Sequence, residues 1–247
     1  MKKKIAIFTG AGISAESGIL TFRDVKDGLW NNYRIEDVAT PEGWKKNREM
    51  VLNFYNERRK QLPDVEPNLA HISLVELEKN YDVTIITQNV DNLHERAGST
   101  NIIHLHGDLT KARGCLYAHK SSPADTIIDI GYNDINLGDK CPTTGSQLRP
   151  HIVWFGEYPF GVSEATRAIL DADILLIIGT SLQIGYTLPM LNNVKRVPEQ
   201  CEVYYIDPSP MKYLDNYGIK VQYVNKKAVE GVAEVVKEIM SRESITN

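Results

Sequence analysis

The segment Lys4-Ile5-Ala6-Ile7-Phe8-Thr9 is apolar and runs straight into Gly10-Ala11-Gly12-Ile13-Ser14-Ala15, a Gly-x-Gly-x-x-Ala turn entered from a short strand. No other feature constrains the fold of this chain as much. A strand that delivers the backbone into a glycine turn, then into helix-compatible residues, is the order a dinucleotide phosphate site needs. Gly10 makes the tight turn possible, Gly12 lets the backbone approach a pyrophosphate, and Ala15 allows the next helix to pack close to the sheet. The helix N-terminus would add free N–H groups and a partial positive charge. Many glycine turns bind nothing, so the motif alone leaves both readings open.

Composition narrows the class. The 247 residues are 42% hydrophobic and 24% charged, which suits one large globular domain with room for a small satellite. Net charge is −4 and no basic block follows Lys2-Lys3-Lys4, which argues against nucleic acid as a partner. Lysines before an apolar run resemble a signal peptide, but the run stops after Phe8. No segment is long and apolar enough to suggest a membrane span. Cys115, Cys141 and Cys201 do not make a disulfide framework, so a reducing cytoplasm is the simplest setting.

Periodicity predicts buried strands over residues 4–9, 82–87, 101–105, 174–178 and 202–206, with a strand or extended segment over 151–155. A helix is expected to begin over 14–19, and further helices over 44–62, 68–79, 163–171 and 228–240. In the 68–79 segment Leu69, Ile72, Leu74, Val75 and Leu77 would form the apolar face. Residues 21–41 and 114–147 lack a clean period, with short strands expected near 126–130. Strands that are apolar throughout and alternate with helices point to an open parallel α/β sheet. In such sheets ligands sit beyond the carboxyl ends of the strands. Four of those ends carry glycine or polar residues: Gly10-Ala11-Gly12, Gln88-Asn89-Val90-Asp91, Gly179-Thr180-Ser181 and Asp207-Pro208-Ser209. Ordinary helix capping would explain one or two of the four. A dehydrogenase would place an acidic residue at the end of a second strand about 20 positions past the glycines. Here Ile35-Glu36-Asp37-Val38 follows no strand, so hydride transfer is disfavoured.

Further blocks occur in order: Thr21-Phe22-Arg23, Thr87-Gln88-Asn89-Val90-Asp91-Asn92-Leu93-His94, His104-Leu105-His106-Gly107, Leu148-Arg149-Pro150, Val153-Trp154-Phe155-Gly156-Glu157 and Gly179-Thr180-Ser181. With the glycine turn, they make the chain resemble the sirtuin family, NAD-dependent protein-lysine deacylases, and within it the bacterial class III enzymes that remove acidic acyl groups. The resemblance implies a Rossmann-like NAD-binding domain over 1–30, 71–112 and 149–247. It also implies a small domain from two insertions, a helical module over 31–70 and a degenerate zinc-ribbon module over 113–148. It implies transfer of the acyl group from a protein lysine to ADP-ribose with release of nicotinamide. Mono-ADP-ribosyl transfer or NAD hydrolysis in the same cleft, and a non-catalytic NAD-sensing module, are the rival readings.

By resemblance His106 is the base and Asn89 contacts the ribose and an ordered water. Imidazole suits the task because its ordinary pKa of about 6.5 leaves it largely neutral at cellular pH. His104, two residues earlier, is expected to be structural. Asp91 would hold the nicotinamide carboxamide, with a plain helix cap as the alternative, and Gln88 would touch the ribose. Phe22 would shield the reactive face, and Arg23 and Ser181 would contact phosphate or ribose. The same resemblance assigns Gly10, Ala11, Gly12, Ser14, Ala15, Glu16, Ile19, Val90, Gly179, Thr180, Tyr205, Ile206, Asp207 and Ala228 to the cofactor. Val153, Phe155, Gly156 and Glu157 would line the groove for the acyl-lysine peptide, which can add there as a strand. Trp154 and Phe155 as plain core residues are the alternative.

Tyr55 and Arg58 are three residues apart on a predicted helix and share a face. A phenol and a guanidinium side by side suit a carboxylate, and class III sirtuins use such a pair to read succinyl- and malonyl-lysine. Arg59 and Lys60 are expected to face solvent. The family's structural zinc normally takes four cysteines. Here Gly114 stands at the first position with Cys115 one residue late, Tyr117 and Ala118 follow, and Cys141 has Thr144 as its partner. Cys115 and Cys141 are remnants with no obvious substitute ligand beyond a contribution from His119, and no tight zinc is expected.

Overall fold

The computed structural model describes residues 2–19, 33–114, 127–182, 200–210, 214–215 and 219–243. Six parallel strands form the main sheet: β1 (Lys4–Thr9), β2 (Asp82–Thr87), β3 (Ile102–His104), β7 (Ile174–Ile178), β8 (Glu202–Ile206) and β9 (Val221–Val224). Their spatial order is β3-β2-β1-β7-β8-β9. The order reverses between β1 and β7, which is the switch point of a doubly wound Rossmann-like sheet.

These strands are apolar throughout because both faces are covered. Ile5 and Ile7 point to one face, with Ile85, Leu176 and Tyr204, under helices α5 (Leu69–Leu77) and α8 (Ala228–Glu243). Ala6 and Phe8 point to the other, with Ile86, Leu175 and Ile177, under α7 (Val162–Leu170). Each fully buried Ile or Leu contributes about 1.5–3 kcal/mol.

A second, antiparallel sheet has the order β5-β4-β6, from β5 (Ile127–Asp129), β4 (Gly107–Gly114) and β6 (Leu148–Ile152). Its core joins Leu109, Ala112, Ile152 and Trp154 to Val51, Leu52, Phe54 and Tyr55 of α4 (Arg48–Gln61). Short helices α2 (Ile35–Val38) and α3 (Pro41–Lys46) precede α4. No helix among the described residues is long and apolar enough to cross a membrane.

Several expectations are corrected. The helix after the glycine turn is one turn long, α1 (Gly12–Ala15), so its end has little of the dipole expected from a helix over 14–19. On α5 the buried residues are Ala70, His71, Ser73, Leu74 and Leu77, while Leu69 and Ile72 are about half exposed. The i, i+4, i+7 stripe from Ala70 through Leu74 to Leu77 faces the sheet, and His71 turns toward α6 (Leu93–Ala97) to pack edge-on against His94. Arg59 is fully buried rather than solvent-facing, because Leu109 O and Asn56 Oδ1 accept from its guanidinium at 2.6 and 2.7 Å. Lys60 is exposed and pairs with Asp134. Strands β4 and β9 were not expected, because GDLTKARG and VQYV carry little apolar period.

Candidate active site

Parallel strands place all their carboxyl ends on one rim, so the loops after β1, β2, β7 and β8 meet there. Gly10 N–H donates to Ile178 O at 3.0 Å, and Gly12 N–H to Gly179 O at 2.8 Å. A Cβ on Gly10 would lie 2.7 Å from Thr180 Cβ, and one on Gly12 would lie 2.6 Å from Gly179 Cα. Glycine at these positions is therefore required by the crossing of two loops, a reason independent of any ligand. The N–H of Ala11 has no partner among the described residues. A bare glycine turn at the switch point, with a spare backbone donor, is a donor set that fits a pyrophosphate.

Beneath the turn lies a buried polar cluster. Asn89 Nδ2 donates to Gly10 O at 3.2 Å and to Ser14 Oγ at 3.0 Å. Ser14 Oγ donates in turn to Asp91 Oδ2 at 3.0 Å. The other oxygen of Asp91 accepts from Leu93 N–H at 3.1 Å, at the start of α6. The helix-cap alternative for Asp91 is thus true of one oxygen while the other belongs to the cluster. Burial raises the Asp91 carboxyl above its ordinary range, against the Leu93 and Ser14 hydrogen bonds. Gln88 Oε1 accepts from Thr180 Oγ1 at 2.7 Å, and Thr180 O from the Tyr205 hydroxyl at 2.7 Å. Leu182, just beyond, is buried with φ of 56°, an uncommon backbone for leucine.

His104 and His106 are only two residues apart but sit in opposite environments. His104 Nε2 meets Glu95 Oε1 at 2.6 Å, and Nδ1 faces Asn89 O at 3.4 Å. Burial pushes this imidazole down, but Glu95, Asp108 and the Asn89 carbonyl together raise it above its ordinary value. His106 lies past β3, partly exposed, and burial pushes it down to about 4 against a hydrogen bond with the Gln88 backbone. At neutral pH it is a neutral imidazole, the form a base requires. Gly107 follows with φ of +88°, and a Cβ there would fall 1.9 Å from His151 O, so only glycine lets the chain turn at this point.

The other predicted residues divide. Tyr55 and Arg58 lie on one side of α4. The Tyr55 hydroxyl accepts from Trp154 Nε1 at 3.1 Å, and burial pushes it up to about 12. Arg58 donates to Phe54 O at 2.9 Å and lies over the Phe54 ring at 3.3 Å. Burial lowers its guanidinium to about 10, so it stays charged at neutral pH. Val153 N–H donates to His106 O at 2.8 Å, which ties this strip to the histidine. Phe155 and Gly156 are exposed, so Phe155 is no core residue, whereas Trp154 is buried. Glu157 turns its carboxylate inward, to Arg149 at 2.7 and 3.0 Å and to Arg113 at 3.2 Å, rather than into a groove. Glu16 Oε2 accepts from Val229 N–H at 2.9 Å, beside Ala228 at the start of α8. Ile206 and Tyr205 are core, Asp207 Oδ1 accepts from Ser209 N–H at 2.8 Å, and Ile19 and Val90 pack on the α4 core. Phe22, Arg23, Cys115 and His119 lie outside the described residues. Thr87, Thr9 and His94 lie within the same motifs without standing out in the sequence; Thr87 Oγ1 accepts from Asn89 N–H at 3.0 Å, and His94 Nε2 meets Thr9 Oγ1 at 3.2 Å.

The four-thiolate zinc site does not fit these residues. A Cβ on Gly114 would lie 2.8 Å from Thr144 Oγ1 and Ser146 Oγ, and 3.0 Å from Cys141 Cβ. The two hydroxyls bond each other at 2.7 Å, and Cys141 N–H donates to Ser146 O at 2.8 Å. Among the described residues no three His, Cys, Asp or Glu side chains group to hold a metal.

The family described as the Sir2 family matches residues 10–185. A protein of Bacteroides thetaiotaomicron named NAD-dependent protein deacylase is 49% identical over 233 residues, covering 94% of this chain and 96% of that one. A Helicobacter pylori protein of the same name is 46% identical over 242 residues, covering 98% and 100%. A Sir2 homologue solved with NAD superposes with a TM-score of 0.81 at 36% identity, covering 98% of this chain and 91% of that one. A Sir2 homologue mutant solved with ADP-ribose gives 0.83 at 36%, covering 98% and 94%.

Proposed function

Because the chain belongs to the Sir2 family, as an NAD-dependent protein deacylase, we propose that it removes succinyl and malonyl groups from protein lysines, and acetyl groups more slowly. The observation that carries the acidic preference is the pairing of a buried phenol, Tyr55, with a charged guanidinium, Arg58, one turn apart on α4. A carboxylate there gains a hydrogen bond from the phenol and a charge-assisted one from the guanidinium. An acetyl group offers neither.

NAD, when bound, supplies the ribose carbon that accepts the acyl oxygen as nicotinamide leaves. The residues do the rest. His106, neutral at cellular pH, takes the proton of a ribose hydroxyl. Asn89, with its amide fixed by Gly10 O and Ser14 Oγ, orients the ribose. Asp91 holds the carboxamide through its buried carboxyl, Gln88 contacts the ribose, and Ser181 contacts phosphate or ribose. Val153, Phe155 and Gly156 receive the peptide backbone. In this reading residues 31–70 and 113–148 form the small domain beside the NAD-binding domain of 1–30, 71–112 and 149–247. Free Cys141 and Cys201 agree with a cytoplasmic setting.

The test is nicotinamide release on one peptide carrying acetyl-, malonyl- or succinyl-lysine, for the wild type and Arg58→Met. The expected result is a higher kcat/KM for the acidic groups, lost by about 10–100-fold in the variant, as befits a charged hydrogen bond. Equal rates on all three peptides would overturn the acidic preference.

A further inference from the structure

We propose that Trp154 is a specificity-determining positioning residue, whose indole N–H holds the Tyr55 hydroxyl so that its one hydrogen is left for the carboxylate of an acidic acyl-lysine. This rests on the acidic-acyl reading above. An indole nitrogen only donates, and a phenol has one hydrogen and an accepting oxygen. At 3.1 Å the Trp154 Nε1–H must therefore be the donor and the Tyr55 oxygen the acceptor. The phenol hydrogen is directed away from the indole, and it has no acceptor among the described residues. Both side chains are buried, at 2% and 5% exposure, so water does not readily satisfy that hydrogen. A carboxylate, which only accepts, is the ligand chemistry that completes this arrangement.

The indole is itself held in place. The Arg149 guanidinium lies over its ring at 3.2 Å, Trp44 packs against it at 5.5 Å, and the backbone N–H of Trp154 donates to Glu157 Oε2 at 2.9 Å. Glu157 in turn clamps Arg149 and Arg113. The adjoining residue, Val153, donates its N–H to the His106 carbonyl, so the segment that sets the phenol is hydrogen-bonded to the segment that carries the proposed base. A group locked by packing and hydrogen bonds keeps its geometry when the ligand arrives. Without the indole N–H the Tyr55 hydroxyl can rotate and lose its aim.

The experiment measures kcat/KM on succinyl- and acetyl-lysine peptides for the wild type, Trp154→Phe, Tyr55→Phe and the double variant. The readout is the succinyl-to-acetyl ratio within each preparation, so a reduced folded fraction cancels. Trp154→Phe is expected to lower the ratio about tenfold, chiefly through KM for the succinyl peptide. In the Tyr55→Phe background it should lower it no further, as two residues acting through one hydrogen bond require. If Tyr55→Phe lowers the ratio but Trp154→Phe does not, the role of Trp154 is overturned and the acidic pocket stands. If the wild type shows no preference for succinyl over acetyl, the pocket reading itself fails, and this inference with it.

Discussion

Gly12 and Gly179 touch backbone to backbone. The Gly12 N–H donates to Gly179 O at 2.8 Å, and a Cβ on Gly179 would fall 2.7 Å from Gly12 Cα. Gly179 also has φ of +59°, which side-chain-bearing residues rarely adopt. This contact fastens the loop after β1 to the loop after β7 at the switch point of the sheet.

Gly179→Ala therefore meets both a clash and an unfavourable backbone. Overpacking costs about 1–3 kcal/mol and the left-handed residue about 1 kcal/mol more. A fall in Tm of about 5–15 °C is expected in a chain this long, with NAD affinity at least about tenfold weaker because the turn is displaced. Calorimetry and titration with NAD check it; an unchanged Tm and Kd would mean that the two loops are not coupled as described.

His106→Tyr is expected to reduce kcat by about 100-fold or more, the scale of a lost general base. His106 as a residue is only half-buried, so Tm should move less than for a fully buried histidine such as His71. In the wild type the base stays deprotonated down to about pH 4. The acid limb of kcat/KM for NAD should accordingly fall below the ordinary histidine range. A variant with undiminished turnover would remove His106 from the chemistry.

Acid should weaken the fold in a defined window. Burial holds His71 and His106 down to about 4 and His151 down to about 3, and His94 is well below the ordinary value. Unfolding returns each ring to about 6.5. Between about pH 6.5 and 4 the unfolded state thus binds more protons, so stability is full above that window and lost as pH falls through it. Each histidine contributes at most about 1.4 kcal/mol per pH unit there. Denaturation midpoints from pH 7 to 4.5 test this, and His71→Phe should flatten the slope. A slope that rises toward acid would contradict the burial of these rings.

Removal of metal should leave the small sheet intact. Thr144 stands where one thiolate would be, its hydroxyl bonded to Ser146 Oγ beside Gly114, and Cys141 is tied by its backbone to Ser146. Dialysis against a strong chelator is expected to leave Tm and deacylation unchanged, and metal analysis to find less than about 0.1 zinc per chain. A drop of several degrees on chelation, reversed by zinc, would show that a metal does hold this module.

The main strands and the rim they form could be read from the sequence because their information is local. A strand buried on both faces, such as Ile174–Ile178, is apolar at every position and needs no partner to be recognised. The motif residues Gly10, Asn89, Asp91 and His106 likewise declare themselves through their neighbours along the chain. The assembly of Gly10, Ser14, Asn89 and Asp91 into one hydrogen-bonded cluster rests on contacts between segments some eighty residues apart.

Charged side chains were less legible. Arg59 looks like solvated surface in sequence, yet it is buried by Leu109, fifty residues away. Glu157 reads as part of a groove but is drawn inward by Arg149 and Arg113, and Glu16 reaches across 213 positions to the start of α8. Sequence determined which segments must be buried, because an apolar side chain gains by leaving water whatever it then meets. Tertiary structure alone decided where each charge and hydroxyl went, because a polar group is stable inside only against a particular partner, and the fold supplies that partner from elsewhere in the chain.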